Sequence, residues 1–187
     1  MRWHAAVVFL SLTLAPVTMA QLPVVQNTVC ECDPANAESM KARQCSLCNE
    51  AEKQSGEVFF LKDINPRKPN RWLALPKAHG KGRHHFHEMS HAERTKLWKA
   101  AIAKATELWG KDEWGLAYNG EIYRTQCHTH LHIGKFARAA ETLRHVRIVS
   151  RPEDIPVPAD SGVWVHPEGG MLHVHLGEQV TETVLLR

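Results

Sequence analysis

The pattern of apolar and polar positions predicts several short strands. The stretches 57–61 and 71–75 are apolar and rich in residues that favour strands, and the nine residues between them include two prolines. Such runs are typical of two antiparallel strands joined by a loop. A third strand is predicted at Trp114–Tyr118, and 163–166 with Met171–Leu176 has the pattern of a hairpin. The strand pattern of that hairpin extends toward residue 186.

One long helix is predicted between these strands. Ser90 with Glu93 three residues later matches a capping box, in which each side chain bonds to the backbone N–H of the other residue. The helix is expected to run to about Trp109, where Gly110 ends it. Apolar residues at spacings of three and four form one stripe along it: Leu97, Ala101, Ala105 and Leu108. A long helix among strands indicates the α+β fold class.

Three histidines occupy alternate positions between apolar or small residues: His128, His130 and His132. We interpret 124–136 as a strand, in which these imidazoles would point the same way, roughly 6 to 7 Å apart. Such a row suits either the binding of a phosphate or the binding of a metal ion.

The N-terminal residues have the order of a secretory signal peptide. A short basic start is followed by an apolar stretch and by small residues up to Ala20. We therefore expect 1–20 to be a signal peptide and the protein to be periplasmic or secreted. An uncleaved membrane anchor is the alternative, although the apolar stretch is short for a membrane span. Residues 21–44 have no sustained period and are interpreted as a cysteine-containing lead-in.

The charge balance argues against nucleic-acid binding. The chain has 23 basic and 20 acidic side chains, a net charge of +3, and 13 histidines that make its charge depend on pH near neutrality.

Five cysteines in an exported chain predict disulfides and leave at least one thiol unpaired. Four form two close pairs, Cys30 with Cys32 and Cys45 with Cys48, and two cross-links between these pairs would fasten the lead-in to the domain. The spacing of Cys45 and Cys48 also suits a metal, so that zinc and disulfides compete for the same sulfurs. Cys127 is predicted to be buried and unreactive.

These motifs together resemble the histidine-triad (HIT) superfamily over residues 45–136. The most specific part is 128–134, His-Thr-His-Leu-His-Ile-Gly, and three other pieces follow in the family's order, at 61–64, 73–79 and 118–119. The resemblance implies a HIT-like antiparallel sheet that carries the triad, with the long helix packed on it. Residues 137–187 would add a C-terminal extension, with a proline-rich linker and a histidine-rich β-hairpin.

The resemblance also implies chemistry on a nucleoside phosphate without a required cofactor. His130 would attack the α-phosphorus and form a nucleotidyl-histidine, which water or another acceptor would then release. His132 would hold the phosphate oxygens or assist the leaving group. His128 would orient the nucleophile, and His79 matches a supporting histidine. A neutral imidazole beside cationic groups can perform such a reaction without a metal.

Four residues match substrate-binding positions of the family, and a fifth is expected to join them. Asp63 and Ile64 match the positions that meet the ribose and the base. Asn119 matches a polar group near the phosphate, and Thr125 matches a hydroxyl that contacts it. Gln126, which follows Thr125 in the approach to the triad, completes the set of expected substrate contacts.

Some bacterial members of the superfamily hold zinc between a Cys-x-x-Cys pair, the histidine after Pro-Lys and the first triad histidine. This resemblance implies a closed, structural zinc site at Cys45, Cys48, His79 and His128. Disulfides remain the alternative for the two cysteines.

Two substrate classes remain open. The stretch 124–128 is more similar to CDP-diacylglycerol pyrophosphatase than to the cytosolic nucleotide-binding members, so the substrate is a soluble nucleotide or a nucleotide-lipid. Peripheral membrane contact and a homodimer are left open. A non-catalytic periplasmic protein that binds a metal or a nucleotide is the alternative from a different class, because histidines are so numerous.

Two further groups of histidines are predicted to be polar surface. The first lies in and after the loop that follows His79: His84, His85, His87 and His91. The second lies on the C-terminal hairpin, where a second metal site is the alternative: His166, His173 and His175.

Overall fold

Seven antiparallel strands form one sheet in the computed structural model, which describes residues 30–79, 84–142 and 144–187. In chain order the strands are β1 Val58–Lys62, β2 Trp72–Pro76, β3 Trp114–Tyr118, β4 Leu131–Lys135, β5 Val146–Val149, β6 Val163–Glu168 and β7 Met171–Leu176. Their order across the sheet is β1, β2, β4, β3, β6, β7, β5. The helices are α1 Ser46–Glu52 and α2 His91–Trp109. The α+β fold class predicted from the apolar pattern is confirmed.

Helix α2 begins and ends at the predicted residues. Ser90 and Glu93 form the capping box, and Gly110 follows the helix with a φ of 74°, in the left-handed region that favours glycine. The buried stripe of α2 consists of Leu97, Trp98, Ala101 and Ala105. It packs on one face of the sheet, in a core that includes Leu116, Leu131, Ile133, Val163, Val165 and Val174.

The opposite face of the sheet carries the candidate chemistry. Ala117 pairs with both His132 and Trp164, and Trp164 pairs with His175, so these four side chains share one face. The C-terminal segment covers the middle of this face in a cluster of Ala117, Phe136, Trp164, Val184 and Leu185. The hairpin histidines are predicted to form a polar outer face. This is wrong for His166 and His175, which are buried beside Phe136 and Trp164.

The sheet is continuous from the triad region into the C-terminal residues. Strand β6 pairs with β3, so the hairpin of 137–187 extends the sheet of residues 45–136. The predicted extension of the last strand to residue 186 is wrong. The chain there forms a 3₁₀ turn at Glu182–Val184, and the buried Arg71 guanidinium donates hydrogen bonds to the carbonyls of Glu182, Leu185 and Leu186.

The cysteines form two disulfides, Cys30 with Cys127 and Cys32 with Cys45, while Cys48 is a buried free thiol. One of the two predicted cross-links between the close pairs is present, the disulfide of Cys32 with Cys45. The other is wrong, because Cys30 is bonded to Cys127 and not to Cys48. Cys127 is buried as predicted but is disulfide-bonded, and its N–H donates to the Gln44 carbonyl at 2.8 Å, which also holds it against the lead-in. Burial raises the pKa of the Cys48 thiol to about 11, which makes it a poor nucleophile.

Disulfides are typical of proteins that fold in oxidising compartments, which fits an exported protein. Among the described residues, no helix has the length and apolar character that crossing a membrane requires. The predicted signal peptide at 1–20 lies outside the described residues.

Candidate active site

A cavity of about 740 Å³ brings together residues that are far apart in the chain. All five of the predicted substrate-binding residues line it: Asp63, Ile64, Asn119, Thr125 and Gln126. Two of the three triad histidines, His130 and His132, line it as well. The sequence motifs therefore converge on one site.

The triad is only partly in a strand. Strand β4 begins at Leu131, so the expectation that all three histidines share one strand face is wrong. The Nδ1 atoms of His128 and His130 lie 2.8 Å from the carbonyls of Thr129 and His128, respectively. These two rings are therefore held by the backbone that leads into β4, rather than by the pairing of a strand.

The hydrogen bond of His130 fixes its tautomer. A carbonyl oxygen can only accept a hydrogen bond, so Nδ1 of His130 carries the proton and Nε2 keeps its lone pair. Burial, followed by the neighbouring His132, lowers the pKa of His130 to about 3. The ring is therefore neutral at physiological pH, which is the form of histidine that can act as a nucleophile.

Asn119 holds His132 from the side of β3. Its Oδ1 accepts three hydrogen bonds, from the N–H groups of Thr181 and Glu182 and from the Thr181 hydroxyl, at 3.0 to 3.2 Å. This fixes the orientation of the amide, so that Nδ2 lies 3.5 Å from Nε2 of His132. The rings of His130 and His132 are in edge contact, with 4.9 Å between their centroids.

Glu182 is a cavity residue that the sequence did not indicate. Its carboxylate lies 3.7 Å from Nδ1 of His132 and forms ion pairs with Lys68 and Arg71. Burial raises the pKa of Glu182, but His132, Lys68 and Arg71 together outweigh it and lower that pKa to about 2. Burial also lowers the pKa of His132 to about 4, although the Glu182 carboxylate acts in the opposite direction.

The other two predicted catalytic histidines lie behind the cavity. His128 is fully buried and does not line it; its ring lies 5.1 Å from the ring of His79 and 6.3 Å from that of Phe59. Nε2 of His79 lies 3.2 Å from a Glu52 oxygen. These positions allow His128 to act on His130 through its carbonyl, and they keep His79 away from a ligand in the cavity.

The predicted zinc set is not assembled. Cys45 is bonded to Cys32, so its sulfur cannot supply a thiolate ligand. Of the four predicted ligands, Cys48 keeps a thiol, and His79 and His128 contact each other. The competition between zinc and a disulfide at Cys45 is thus decided in favour of the disulfide.

The entrance of the cavity is shaped by α1 and by the loop after β1. Gln126 accepts a hydrogen bond from Ser46 and donates one to the Arg43 carbonyl. Asp63 accepts a hydrogen bond from the N–H of Asn65, and the Ile64 side chain beside it is 97% exposed. An isoleucine so exposed at a cavity can contact the flat face of a ligand.

Arg124 braces the segment that leads into the triad. Its buried guanidinium donates hydrogen bonds to the carbonyls of His84 and Cys127 and to the Tyr118 hydroxyl. It thereby joins the loop before α2, strand β3 and the residue next to the triad. Arg124 also lines the cavity, so it adds a fixed positive charge.

Replacement of Asn119 by alanine should lower the free energy of unfolding by about 1 to 3 kcal/mol, because two buried donors and one partly buried donor lose their acceptor. Urea unfolding would measure this loss. Asn70→Ala, at an exposed position of the loop after β1, is the control and should change the free energy by less than about 0.5 kcal/mol. Equal effects of the two substitutions would contradict the bracing role of Asn119.

The buried triad should make folding sensitive to acid. Burial lowers the pKa of His128 to about 3, whereas its ordinary value is 6.5. As the pH falls below 6.5, the unfolded chain takes up a proton that the folded protein excludes, so the free energy of unfolding decreases until the pH reaches the folded pKa. Between pH 6 and 4.5, His128→Gln should reduce the pH slope of the free energy by about 1.4 kcal/mol per pH unit, the equivalent of one proton.

Urea unfolding at several pH values between 7 and 4.5 would measure this slope. His87→Gln, which removes an exposed imidazole, should leave the slope unchanged. An unchanged slope in His128→Gln would show that His128 is protonated in the folded protein.

No protein-family model matches this chain, and no curated protein is significantly similar to it in sequence.

Proposed function

We propose that this protein is a HIT-type hydrolase or nucleotidyl transferase that acts on a nucleoside phosphoanhydride or a related phosphate bond. The observation that carries the proposal is His130, a neutral imidazole at the wall of the cavity whose Nδ1 proton is bound to the His128 carbonyl. This arrangement leaves Nε2 as the nucleophilic atom.

In the proposed reaction, Nε2 of His130 attacks the α-phosphorus of the substrate. The bond from phosphorus to the leaving oxygen breaks, and that oxygen departs with the bonding electrons. Water or another acceptor then attacks the nucleotidyl-His130 and restores the free imidazole. His132, in contact with His130 and braced by Asn119, would hold the phosphate oxygens or assist the leaving group.

The charges of the cavity support a phosphate ligand. Four cationic side chains line it, Arg43, Lys62, Lys68 and Arg124. Lys68 is paired with Glu182, and Arg124 is held in place by carbonyls, a hydroxyl and the Glu121 carboxylate at 3.5 Å. Fixed cations of this kind stabilise the negative charge that develops on a phosphorane, without reorganisation during the reaction.

The apolar part of the cavity supports a base or a lipid beside the phosphate. Leu47, Leu61 and Leu73 line the cavity together with the exposed Ile64. Ile122, next to the lining residue Tyr123, is 44% exposed. These exposed isoleucines favour CDP-diacylglycerol as the second candidate substrate, since an exported enzyme could reach it at a membrane surface.

The test is intact-protein mass spectrometry of the mature protein, mixed briefly with a panel of nucleoside diphosphates and triphosphates, dinucleoside polyphosphates and CDP-diacylglycerol. We expect a transient mass increase equal to one nucleotidyl group, which identifies the base. The increase should be absent in His130→Ala and present in His87→Ala, which alters an exposed histidine outside the cavity. If no member of the panel gives an adduct or turnover, a non-catalytic binding protein becomes the better explanation.

A further inference from the structure

A second cluster of metal-ligating side chains lies outside the cavity, at the far end of the same sheet face. It contains Glu141, His166, His173 and His175, and one ligand atom from each lies within 4.8 Å of the others. His166 on β6 pairs with His173 on β7, and His175 lies two residues further along β7 on the same face. Glu141 reaches the cluster from the loop before β5. The hairpin of β6 and β7 thus supplies three of the four side chains.

The ring of His166 contacts two hydrogen-bond acceptors, one more than a neutral imidazole can donate to. Its Nδ1 lies 3.3 Å from the Pro167 carbonyl, and its Nε2 lies 2.7 Å from a Glu141 oxygen. A neutral imidazole has one N–H, and neither a carbonyl nor a carboxylate can donate. In a neutral His166 ring, whichever nitrogen carries the proton, the other one directs a lone pair at an oxygen lone pair. A cation between the ring and the carboxylate removes this conflict.

His175 brings a second ring nitrogen to the same point. Its Nε2 lies 3.3 Å from Nε2 of His166 and 3.4 Å from the other oxygen of Glu141. Among the described residues, Nδ1 of His175 and Nδ1 of His173 are buried without a hydrogen-bond partner.

We propose that Glu141, His166, His173 and His175 form a closed, structural binding site for a divalent transition-metal ion, with zinc as the preferred ion. Three histidines and one carboxylate are an ordinary tetrahedral donor set for zinc. Bonds of about 2.0 to 2.1 Å place tetrahedral ligand atoms about 3.3 Å apart. The separations of 3.3 Å between His166 and His175 and of 3.4 Å between His175 and Glu141 match that value, whereas the 2.7 Å between His166 and Glu141 is shorter.

The surroundings of the cluster favour a rigid site. The His175 ring stacks on Trp164 with 3.5 Å between centroids, and the His166 ring stacks on Phe136 at 4.2 Å. The Pro167 carbonyl, which can accept a hydrogen bond from Nδ1–H of His166, would direct Nε2 toward the metal, as outer partners of ligating histidines commonly do. The bound ion would fasten the loop that carries Glu141 to the hairpin.

The test uses the full mature protein after treatment with a chelator. Isothermal titration with zinc chloride, and native mass spectrometry, should show one ion per chain. Glu141→Gln and His173→Gln, at partly exposed positions, should each weaken zinc binding at least about 100-fold, because loss of an outer partner alone commonly costs 10 to 100-fold. His87→Gln is the matched control, because it removes an exposed histidine elsewhere and should bind zinc as the wild type does.

A second measurement does not depend on how the variants fold. In the wild-type protein, one equivalent of zinc should raise the melting temperature and shift the imidazole NMR signals of His166, His173 and His175. Magnesium at the same concentration should do neither, because it prefers oxygen ligands. His130→Gly should keep wild-type zinc affinity, which separates this site from the proposed catalytic site.

The proposal is overturned if zinc binds with equal affinity to the wild type and to both cluster variants. It is also overturned if His87→Gln weakens zinc binding as much as the cluster variants do, since the loss would then not be specific to the cluster. Absence of any zinc binding by the chelator-treated wild type, at micromolar protein and metal, would overturn it as well.

Discussion

Replacement of His130 by glycine should lower kcat/KM for the nucleotide substrate by at least about 10³-fold, because the reaction loses its nucleophile. The folded state should remain, since the ring is held by one hydrogen bond to the His128 carbonyl and borders a cavity. Steady-state kinetics at pH 7 would measure the loss, and circular dichroism would verify the fold. His87→Gly should retain wild-type kinetics.

Added imidazole should restore part of the activity of His130→Gly. The cavity of about 740 Å³ continues into the space that the side chain vacates, so a free imidazole can reach the phosphorus. N-methylimidazole separates two roles of the ring. It keeps a nucleophilic nitrogen but cannot donate to the His128 carbonyl, so it should restore less activity than imidazole does. No rescue by either compound, or a kcat/KM within tenfold of the wild type, would contradict the assignment of His130 as the nucleophile.

The local elements of the fold could be predicted from sequence because each one depends on neighbouring residues. The capping box of Ser90 and Glu93 fixes the start of α2, and the apolar runs at β1 and β2 pair across a proline-containing loop. The same applies to the hairpin of β6 and β7.

The parts that the sequence could not predict depend on contacts between distant residues. Glu182 joins the cavity because Asn119, 63 residues earlier, accepts a hydrogen bond from its N–H. Cys127 meets Cys30, 97 residues away, through the fold of the lead-in. Alternation predicted that His128, His130 and His132 share a strand face, but local hydrogen bonds to carbonyls hold the first two outside β4. The spacing of apolar and polar residues along the chain carries no information about these hydrogen bonds and disulfides.

Burial of the hairpin histidines has a similar origin. A histidine at every second position of a hairpin is typical of a solvent-facing strand face. The sequence does not reveal that Trp164 stacks on His175, or that Phe136 from β4's end stacks on His166. The sheet order places β6 next to β3 and two strands from β4. Phe136, at the end of β4, can therefore reach His166 and cover the face that the hairpin alone would expose.

The disulfide between Cys30 and Cys127 should contribute the largest single share of stability. It closes a loop with a sequence separation of 97, and restriction of the unfolded chain over such a loop stabilises the fold by about 4 to 5 kcal/mol. The double variant Cys30→Ala, Cys127→Ala should lose most of this free energy in urea unfolding without reductant. The melting temperature should fall by roughly 10 °C for a chain of this size.

The second disulfide provides the matched comparison. Cys32 and Cys45 are separated by 13 residues, so the variant Cys32→Ala, Cys45→Ala should lose only about 3 kcal/mol of the free energy of unfolding.

The two disulfide variants should also differ in activity. Cys127 directly precedes His128, so loss of its cross-link should lower turnover at temperatures at which the protein is still folded, while loss of the shorter cross-link should not. A larger loss of stability from the shorter loop would contradict the entropic ranking. Equal turnover in both variants would show that Arg124 and the Gln44 carbonyl suffice to position the approach to the triad.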